Sequence, residues 1–268
     1  MAGPMTAPGQ TAAAGQDVAI VTGGNRGIGA AIAATLAEQG YAVCVTGRDA
    51  SATEEVVARL RERGSVALGV AADVAVEADV VRLVAAAEAM GPVSVVVNNA
   101  AAAGPTAPVH EMASQDFIDV LATNLTGPFL VAKHALPAMI GRRRGSVVNI
   151  GSIAGVEGYP LRSPYCASKW GLVGLTRTLA GEVGEHGIRV NLVAPGPTRG
   201  DRSDGVIGAR AQALGVPFEE LRDKYASEIP LRRFVEPDEV ASTVAFLASD
   251  AASGMTGQSF CVSGGIEI

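Results

Sequence analysis

Short apolar runs alternate along the chain with longer stretches of helical spacing. Residues 17–22, 41–46, 65–72, 93–97, 146–150, 188–193 and 259–262 read as strands. They are apolar at successive positions rather than alternate ones, the pattern of strands buried on both faces. Helical spacing occupies 27–39, 51–64, 76–90, 113–141, 164–186 and 237–249. Gly40 stops the first of these, and Ser51-Ala-Thr-Glu54 places capping-box spacing at the start of the second. Gly91-Pro92 ends the third, while Pro237 with Asp238 and Glu239 opens the last. Repeated β–α units imply right-handed crossovers and an α/β fold: one doubly wound domain over 17–268, with a parallel sheet of about seven strands. Residues 198–230 break the rhythm. An insert of that length is expected to form a substrate loop or lid, with an oligomer contact as the plainer alternative.

Composition narrows the class. With 48% hydrophobic and 18% charged residues, the chain has material for a large core and is not disordered over its length. A mean hydropathy of +0.28 raises the question of a membrane. No run reaches the roughly 18 uninterrupted apolar residues of a spanning helix; the nearest, 80–104, is broken by Arg82, Glu88, Gly91-Pro92 and Asn98-Asn99. A net charge of −6 argues against binding nucleic acid, which needs a basic face. Residues 1–16 contain no Lys or Arg and no apolar leader core, and are expected to form a flexible extension. Cys44, Cys166 and Cys261 are far apart and without CxxC spacing, which fits a reducing cytoplasm. His110, His134 and His186 share no ligand spacing, so no metal site is expected.

The candidate chemistry begins at Thr22-Gly-Gly-Asn-Arg-Gly-Ile-Gly29, between the first strand and the first helix. Glycines here allow a sharp turn and close backbone approach to a pyrophosphate, which the helix N-terminus then faces with free N–H groups. A tight turn uses the same residues, so position carries the reading. A nucleotide-binding P-loop is excluded, because no Lys follows the last glycine.

Five motifs in order resemble the short-chain dehydrogenase/reductase family across residues 17–265. Thr22 to Gly29 fits TGxxxGxG, and Asn98-Asn-Ala-Ala101 fits NNAG with Ala101 where Gly is usual. Asn124, Ser152, Tyr165 and Lys169 fit the catalytic tetrad, and Pro195-Gly-Pro-Thr198 fits the nicotinamide-side loop. Among relatives the chain looks most like 3-oxoacyl reductases and polyketide ketoreductases. The resemblance implies a Rossmann-type fold, a homotetramer paired through the helices near 113–141 and 164–186, and a nicotinamide cofactor. It places Gly23, Asn25, Arg26, Gly27, Ile28 and Gly29 at the cofactor, with Asp73 and Val74 beside the adenine. Asn99, Ala100, Ala101 and Lys169 would lie at the nicotinamide ribose, near Tyr165. Pro195, Gly196 and Thr198 would lie at the carboxamide, and Asn124 would support a relay water.

Residue chemistry agrees. Tyr165 and Lys169 are four apart in a helical segment and share a face. An ammonium beside a phenol favours the phenolate, so the pair suits proton exchange with a substrate oxygen while hydride moves on the cofactor. Ser152 follows the fifth strand, at the sheet edge where such folds bind ligands, and its hydroxyl suits the same oxygen. Read singly, the Tyr–Lys pair is a packing pair, Ser152 a cap and Asn124 a helix-kink or cap residue. No GxSxG surrounds Ser152, which removes the nucleophile reading.

The second strand ends Thr46-Gly47-Arg48, with Gly47 where NAD-preferring relatives place Asp. Arg26 and Arg48 suit a 2′-phosphate, so NADP(H) is expected over NAD(H); Asp49 points toward NAD unless it caps the next helix. The expected reaction interconverts a ketone and a secondary alcohol, on a 3-oxoacyl, polyketide-like or cyclic substrate. Ser152, Ala154, Tyr159 and Tyr165 are the expected substrate contacts, with Ile153, Val156, Leu161, Val206, Ile207 and Leu214 as apolar borders. Arg162, Arg199, Arg202 and Arg210 leave room for an acidic or carrier-linked substrate. The alternatives are an NAD-dependent alcohol dehydrogenase, a non-catalytic NADP sensor and, more remotely, a methyltransferase.

Overall fold

The computed structural model describes residues 12, 13 and 15–266. Seven strands form one parallel sheet: β1 (Val18–Thr22), β2 (Ala42–Gly47), β3 (Ala67–Ala71), β4 (Val93–Asn98), β5 (Gly145–Ile150), β6 (Ile188–Pro195) and β7 (Ser259–Val262). Their order is β3-β2-β1-β4-β5-β6-β7, every pair parallel. The winding reverses between β1 and β4, and a doubly wound sheet opens a ligand crevice beyond the carboxyl ends at that point. The glycine turn follows β1, and Asn98–Ala101 follows β4.

Nine helices appear among the described residues: α1 (Gly27–Glu38), α2 (Ala50–Glu62), α3 (Glu77–Met90), α4 (Ser114–Leu121), α5 (Gly127–Arg142), α6 (Ser163–Val183), α7 (Asp201–Leu214), α8 (Phe218–Glu228) and α9 (Pro237–Ala248). Alternate strand residues supply two cores. Ala19, Val21, Val43 and Val45 pack under Ile32 and Leu36 of α1, Val56 and Val57 of α2, and Val240 and Val244 of α9. Val18, Ile20, Ala42 and Cys44 face Val80 and Leu83 of α3, Val131 of α5, and Leu179 and Val183 of α6. Burial on both faces holds for β1, β2 and β4, and almost throughout β5 and β6. It fails at β3 and β7, which lie at the two edges and are half-buried.

Several local expectations change. Helix α2 begins at Ala50, and its cap is Asp49 rather than Ser51: the Asp49 carboxylate accepts from Ser51 N at 3.0 Å and Ala52 N at 3.1 Å. The long helical segment over 113–141 is α4 and α5 joined by a π-turn at Ala122–Thr126. The insert over 198–230 folds into α7 and α8 around its own core of Ile207, Ala211, Leu221, Ile229 and Phe234. Arg199 N to Val235 O (2.8 Å) and Val235 N to Pro197 O (2.9 Å) close its base. Most of the expected 1–16 extension lies outside the described residues; Ala12 N donates to Met90 O and Gln16 Nε2 to Gly40 O.

Leu36 is fully buried between α1 and the sheet, so Leu36→Ala should lower unfolding free energy by about 2–5 kcal/mol. Leu214, 52% exposed, should lose no more than about 0.5 kcal/mol on the same change. Urea denaturation of the two variants compares them directly.

Candidate active site

Helix α6 carries the reacting pair. A ladder of buried amides fixes its depth against the sheet. Asn98 Nδ2 donates to Asn149 Oδ1 (2.9 Å), Asn149 Nδ2 to Thr176 Oγ1 (2.9 Å), and Thr176 Oγ1 to Leu172 O (2.7 Å). That registers Tyr165 and Lys169, in the first two turns of α6, with the carboxyl end of β5. Lys169 is 2% exposed, and its Nζ donates to Ile150 O at 2.7 Å and lies 5.7 Å from the Tyr165 ring centroid.

Burial pushes the Lys169 ammonium down to about 8; Tyr165 opposes the shift and Arg202 adds to it. For Tyr165, burial is the largest influence and raises the phenol. Lys169, Arg202, a hydrogen bond with Ser152, and Arg162 together outweigh it and hold the phenol below its ordinary value. Ser152 stands at the end of β5, where its Oγ also accepts from Ala154 N at 3.2 Å and caps the short 3-10 turn Ile153–Gly155. The capping reading and the site reading of Ser152 therefore coexist.

Asn124 sits inside the π-turn, fully buried. Its Oδ1 accepts from Ala102 N (2.7 Å), while Nδ2 donates to Ala102 O (3.0 Å) and Ser168 Oγ (3.0 Å). Ser168 Oγ in turn donates to Tyr165 O at 2.7 Å. One amide thus ties the loop after β4 to α6. Ser168 was not anticipated, though its place three residues after Tyr165 was the available signal.

At the opposite end of the crevice, the glycine turn packs on the loop after β4. Asn99 Nδ2 donates to Thr22 O and Gly23 O at 2.9 Å, and Thr22 Oγ1 accepts from Asn99 N (3.0 Å) and Ala100 N (3.1 Å). A Cβ on Gly29 would lie 2.2 Å from Gly23 O, so only glycine lets α1 start here. Arg26 precedes α1 without a side-chain cap, which leaves the first N–H groups facing the crevice. A dinucleotide fits these features: a close-approach turn, an uncapped helix start and exposed cations at Arg26 and Arg48. Neither arginine has an ion-pair partner among the described residues. At Gly47 a Cβ would meet Asn25 Nδ2 at 2.7 Å, so the Asn25 amide fills the space that a carboxylate there would need. Asp49 spends its carboxylate on the α2 cap.

Other expected residues fall around this centre. Asp73 does not cap α3; its Oδ1 accepts from Ala75 N, and its own N–H donates to Asp79. Val74 is buried, close enough to Gly127 that a Cβ there would meet it at 2.8 Å. Ala101 O accepts from Arg202 Nη1 (3.0 Å), and Thr198 Oγ1 donates to Gly196 O (3.0 Å). Gly196 N donates to Val262 O, anchoring the Pro195 loop on β7. Tyr159 reaches the insert, its hydroxyl 3.1 Å from that of Tyr225, a residue that the sequence did not single out. Of the expected substrate contacts Ala154 is buried, and of the expected borders Ile207 lies in the core of the insert and Leu214 faces solvent. Arg199 is ion-paired to Glu236 at 2.8 Å.

A family model described as enoyl-(acyl carrier protein) reductase matches residues 23–267. 2-(S)-hydroxypropyl-CoM dehydrogenase 3 of Xanthobacter autotrophicus is 37% identical, covering 93% of this chain and 96% of that protein. The structure of a single-substitution variant of actinorhodin polyketide ketoreductase with NADPH superposes with a TM-score of 0.91 at 38% identity, over 96% of this chain and 99% of that one. An NAD+-bound xylitol dehydrogenase superposes at 0.90 with 33% identity, over 93% and 98%.

Asn124→Ala leaves the half-buried Ala102 N–H and carbonyl without their partner and should lower unfolding free energy by about 1–3 kcal/mol, read by chemical denaturation. Asn124→Asp keeps the acceptor for Ala102 N but turns a carboxylate oxygen toward Ala102 O in place of a donor, so it should be no better tolerated than Asn124→Ala at neutral pH.

Proposed function

The chain belongs to the short-chain dehydrogenase/reductase family and is an oxidoreductase of CH–OH groups; on that premise we propose how its residues interconvert a ketone and a secondary alcohol with NADP(H). The single observation that carries this reading is the buried Lys169 ammonium, 5.7 Å from the Tyr165 ring centroid at the carboxyl end of β5. When bound, the nicotinamide supplies or accepts the hydride. Tyr165 Oη gives a proton to the substrate oxygen in reduction and takes it back in oxidation. Ser152 Oγ holds that oxygen by hydrogen bond as charge develops on it. Lys169 keeps the phenol acidic. Ile150 takes one of the three N–H donors on Nζ, leaving donors for the ribose. Asn124 positions α6 against the loop after β4 and supports a water between Lys169 and solvent.

Arg26 and Arg48 would hold the 2′-phosphate, and the glycine turn would receive the pyrophosphate. Asp73 and Val74 would flank the adenine, Asn99, Ala100 and Ala101 the ribose, and the Pro195–Thr198 loop the carboxamide. NAD(H) is the alternative, supported by the NAD+-bound neighbour. The ketoreductase and dehydrogenase names of the relatives support a 3-oxoacyl, polyketide-like or cyclic ketone as substrate class. Helices α7 and α8 form the substrate lid, touching Tyr159 through Tyr225.

A homotetramer is supported by large apolar side chains left on the α4–α6 face: Phe117, Ile118, Phe129 and Trp170, the last 50% exposed. Gly174 adds an open position on α6, whereas Gly171 and Ala180 point into the chain's own interior. Among the described residues no helix is long and apolar enough to cross a membrane. Three unpaired cysteines support the cytoplasm as its compartment.

Tyr165→Phe should lower kcat by about 10²–10⁴-fold while leaving NADPH affinity intact by calorimetry. A loss of cofactor affinity instead would make Tyr165 a structural residue. In a second test, kcat/KM should be higher with NADPH than with NADH, and Arg48→Asp should move the ratio toward NADH.

A further inference from the structure

Three guanidinium groups lie around Tyr165 and Tyr159 with no acid among the described residues to meet them. Arg162 Cζ lies 5.2 Å from the Tyr165 ring centroid, and Arg202 Cζ lies 5.8 Å from it. Arg210 Cζ stacks 4.6 Å from the ring centre of Tyr159. None of the three forms an ion pair with a described residue, in contrast to neighbouring Arg199, which Glu236 neutralises.

Arg162 is only 4% exposed. It gives Nη1 to Thr106 Oγ1 (3.2 Å) and Nη2 to Ala103 O (2.7 Å), which leaves Nε buried and without an acceptor. Arg210 has both Nε and Nη1 buried and without acceptors. Arg202 is exposed and donates to the Ala101 carbonyl, its charge unpaired among the described residues. A guanidinium cannot shed its charge at any working pH, and a buried cation needs a counter-charge or a full set of acceptors. Natural interiors satisfy such donors almost without exception. Arg162 and Arg210 bring buried N–H groups without acceptors, and Arg202 an exposed charge, to walls formed by Tyr159 and Tyr225; an anion between them would meet all three.

We propose that the substrate carries an anionic group, a carboxylate in its simplest form, and that Arg162, Arg202 and Arg210 receive it while its carbonyl or hydroxyl faces Tyr165. This rests on the ketone–alcohol reading above and narrows it to oxo acids or hydroxy acids whose charge lies a few bonds from the reacting carbon. The forked guanidinium suits a carboxylate or sulfonate equally in charge and shape. Burial, opposed by Tyr165 and Tyr159 and reinforced by Arg202, draws the Arg162 guanidinium below its ordinary value, as a cation lacking a counter-charge requires.

The test uses the full chain with NADPH and two matched pairs: 4-oxopentanoate against its methyl ester, and 3-oxobutanoate against its methyl ester. The acids should be preferred in kcat/KM by roughly 10- to 100-fold, the range for a charge-assisted hydrogen bond. Arg210→Leu and Arg202→Leu should bring the acid-to-ester ratio toward one. Esters turned over as well as acids, or an acid preference surviving in both variants, would overturn the proposal. An oxo sulfonate matching the oxo acid separates the two anion sources. Calorimetric titration with pentanoate and with pentanamide, with and without NADPH, removes any dependence on turnover. Pentanoate alone should bind, and Arg210→Leu should abolish that binding. If no ketone is reduced yet this selective binding holds, the oxidoreductase reading fails and the anion site stands. If ketones are reduced but pentanoate and pentanamide behave alike, the anion site fails and the reading of the reaction stands.

Discussion

Everything at the working end of this molecule follows from burying one ammonium beside one phenol. Lys169 is taken out of water with a single carbonyl as hydrogen-bond partner, Ile150 O, and with no carboxylate to balance it. Burial disfavours the charged lysine and the charged phenolate alike. Placed together, each is the other's best compensation, and the phenol ends below its ordinary value despite its own burial. A lysine in solvent would remove the largest influence that opposes the burial of the Tyr165 phenol. The fold's task is therefore to keep Lys169 dry and in register with Tyr165.

Two devices do this. The Asn98–Asn149–Thr176 ladder runs from the centre of the sheet into α6 and fixes the depth at which the helix enters. Asn124, released from regular α-helical bonding by the π-turn, clamps the loop after β4 to Ser168 on the same helix. Both devices lie beside the point where the sheet reverses direction, so the cofactor turn at Thr22–Gly29 and the Tyr165 site face one crevice. A parallel sheet buried on both faces makes these amides costly to disturb, because water has no route to replace a lost partner.

Much of this was legible in the chain. Uninterrupted apolar runs such as Val18–Thr22, alternating with helical segments, point to parallel strands, and the order of the motifs placed the crevice. Arg26, Arg48 and the Tyr165–Lys169 spacing were readable because turn and helix geometry alone brings them to the crevice. The edge strands β3 and β7 carry the same apolar runs as the central strands yet are half-buried, since apolar content does not say which strand lacks a neighbour. Ser51 lost the α2 cap to Asp49 because the two compete within one turn, and local spacing alone did not decide between them. The meeting of Tyr159 with Tyr225 and the gathering of Arg162 with Arg202 and Arg210 join residues far apart in sequence through the packing of the insert. No periodicity encodes such contacts.

The ionisation of Tyr165 is read by titrating the tyrosines by ultraviolet difference absorbance in the intact protein. Tyr41 and Tyr225 are both raised, chiefly by burial, so they stay clear of the low end of the titration. The wild type should show a tyrosine ionising below the ordinary phenol value. That component should be absent in Tyr165→Phe and displaced upward in Lys169→Met. A wild-type titration with no such component, or one unchanged in Lys169→Met, would contradict the account.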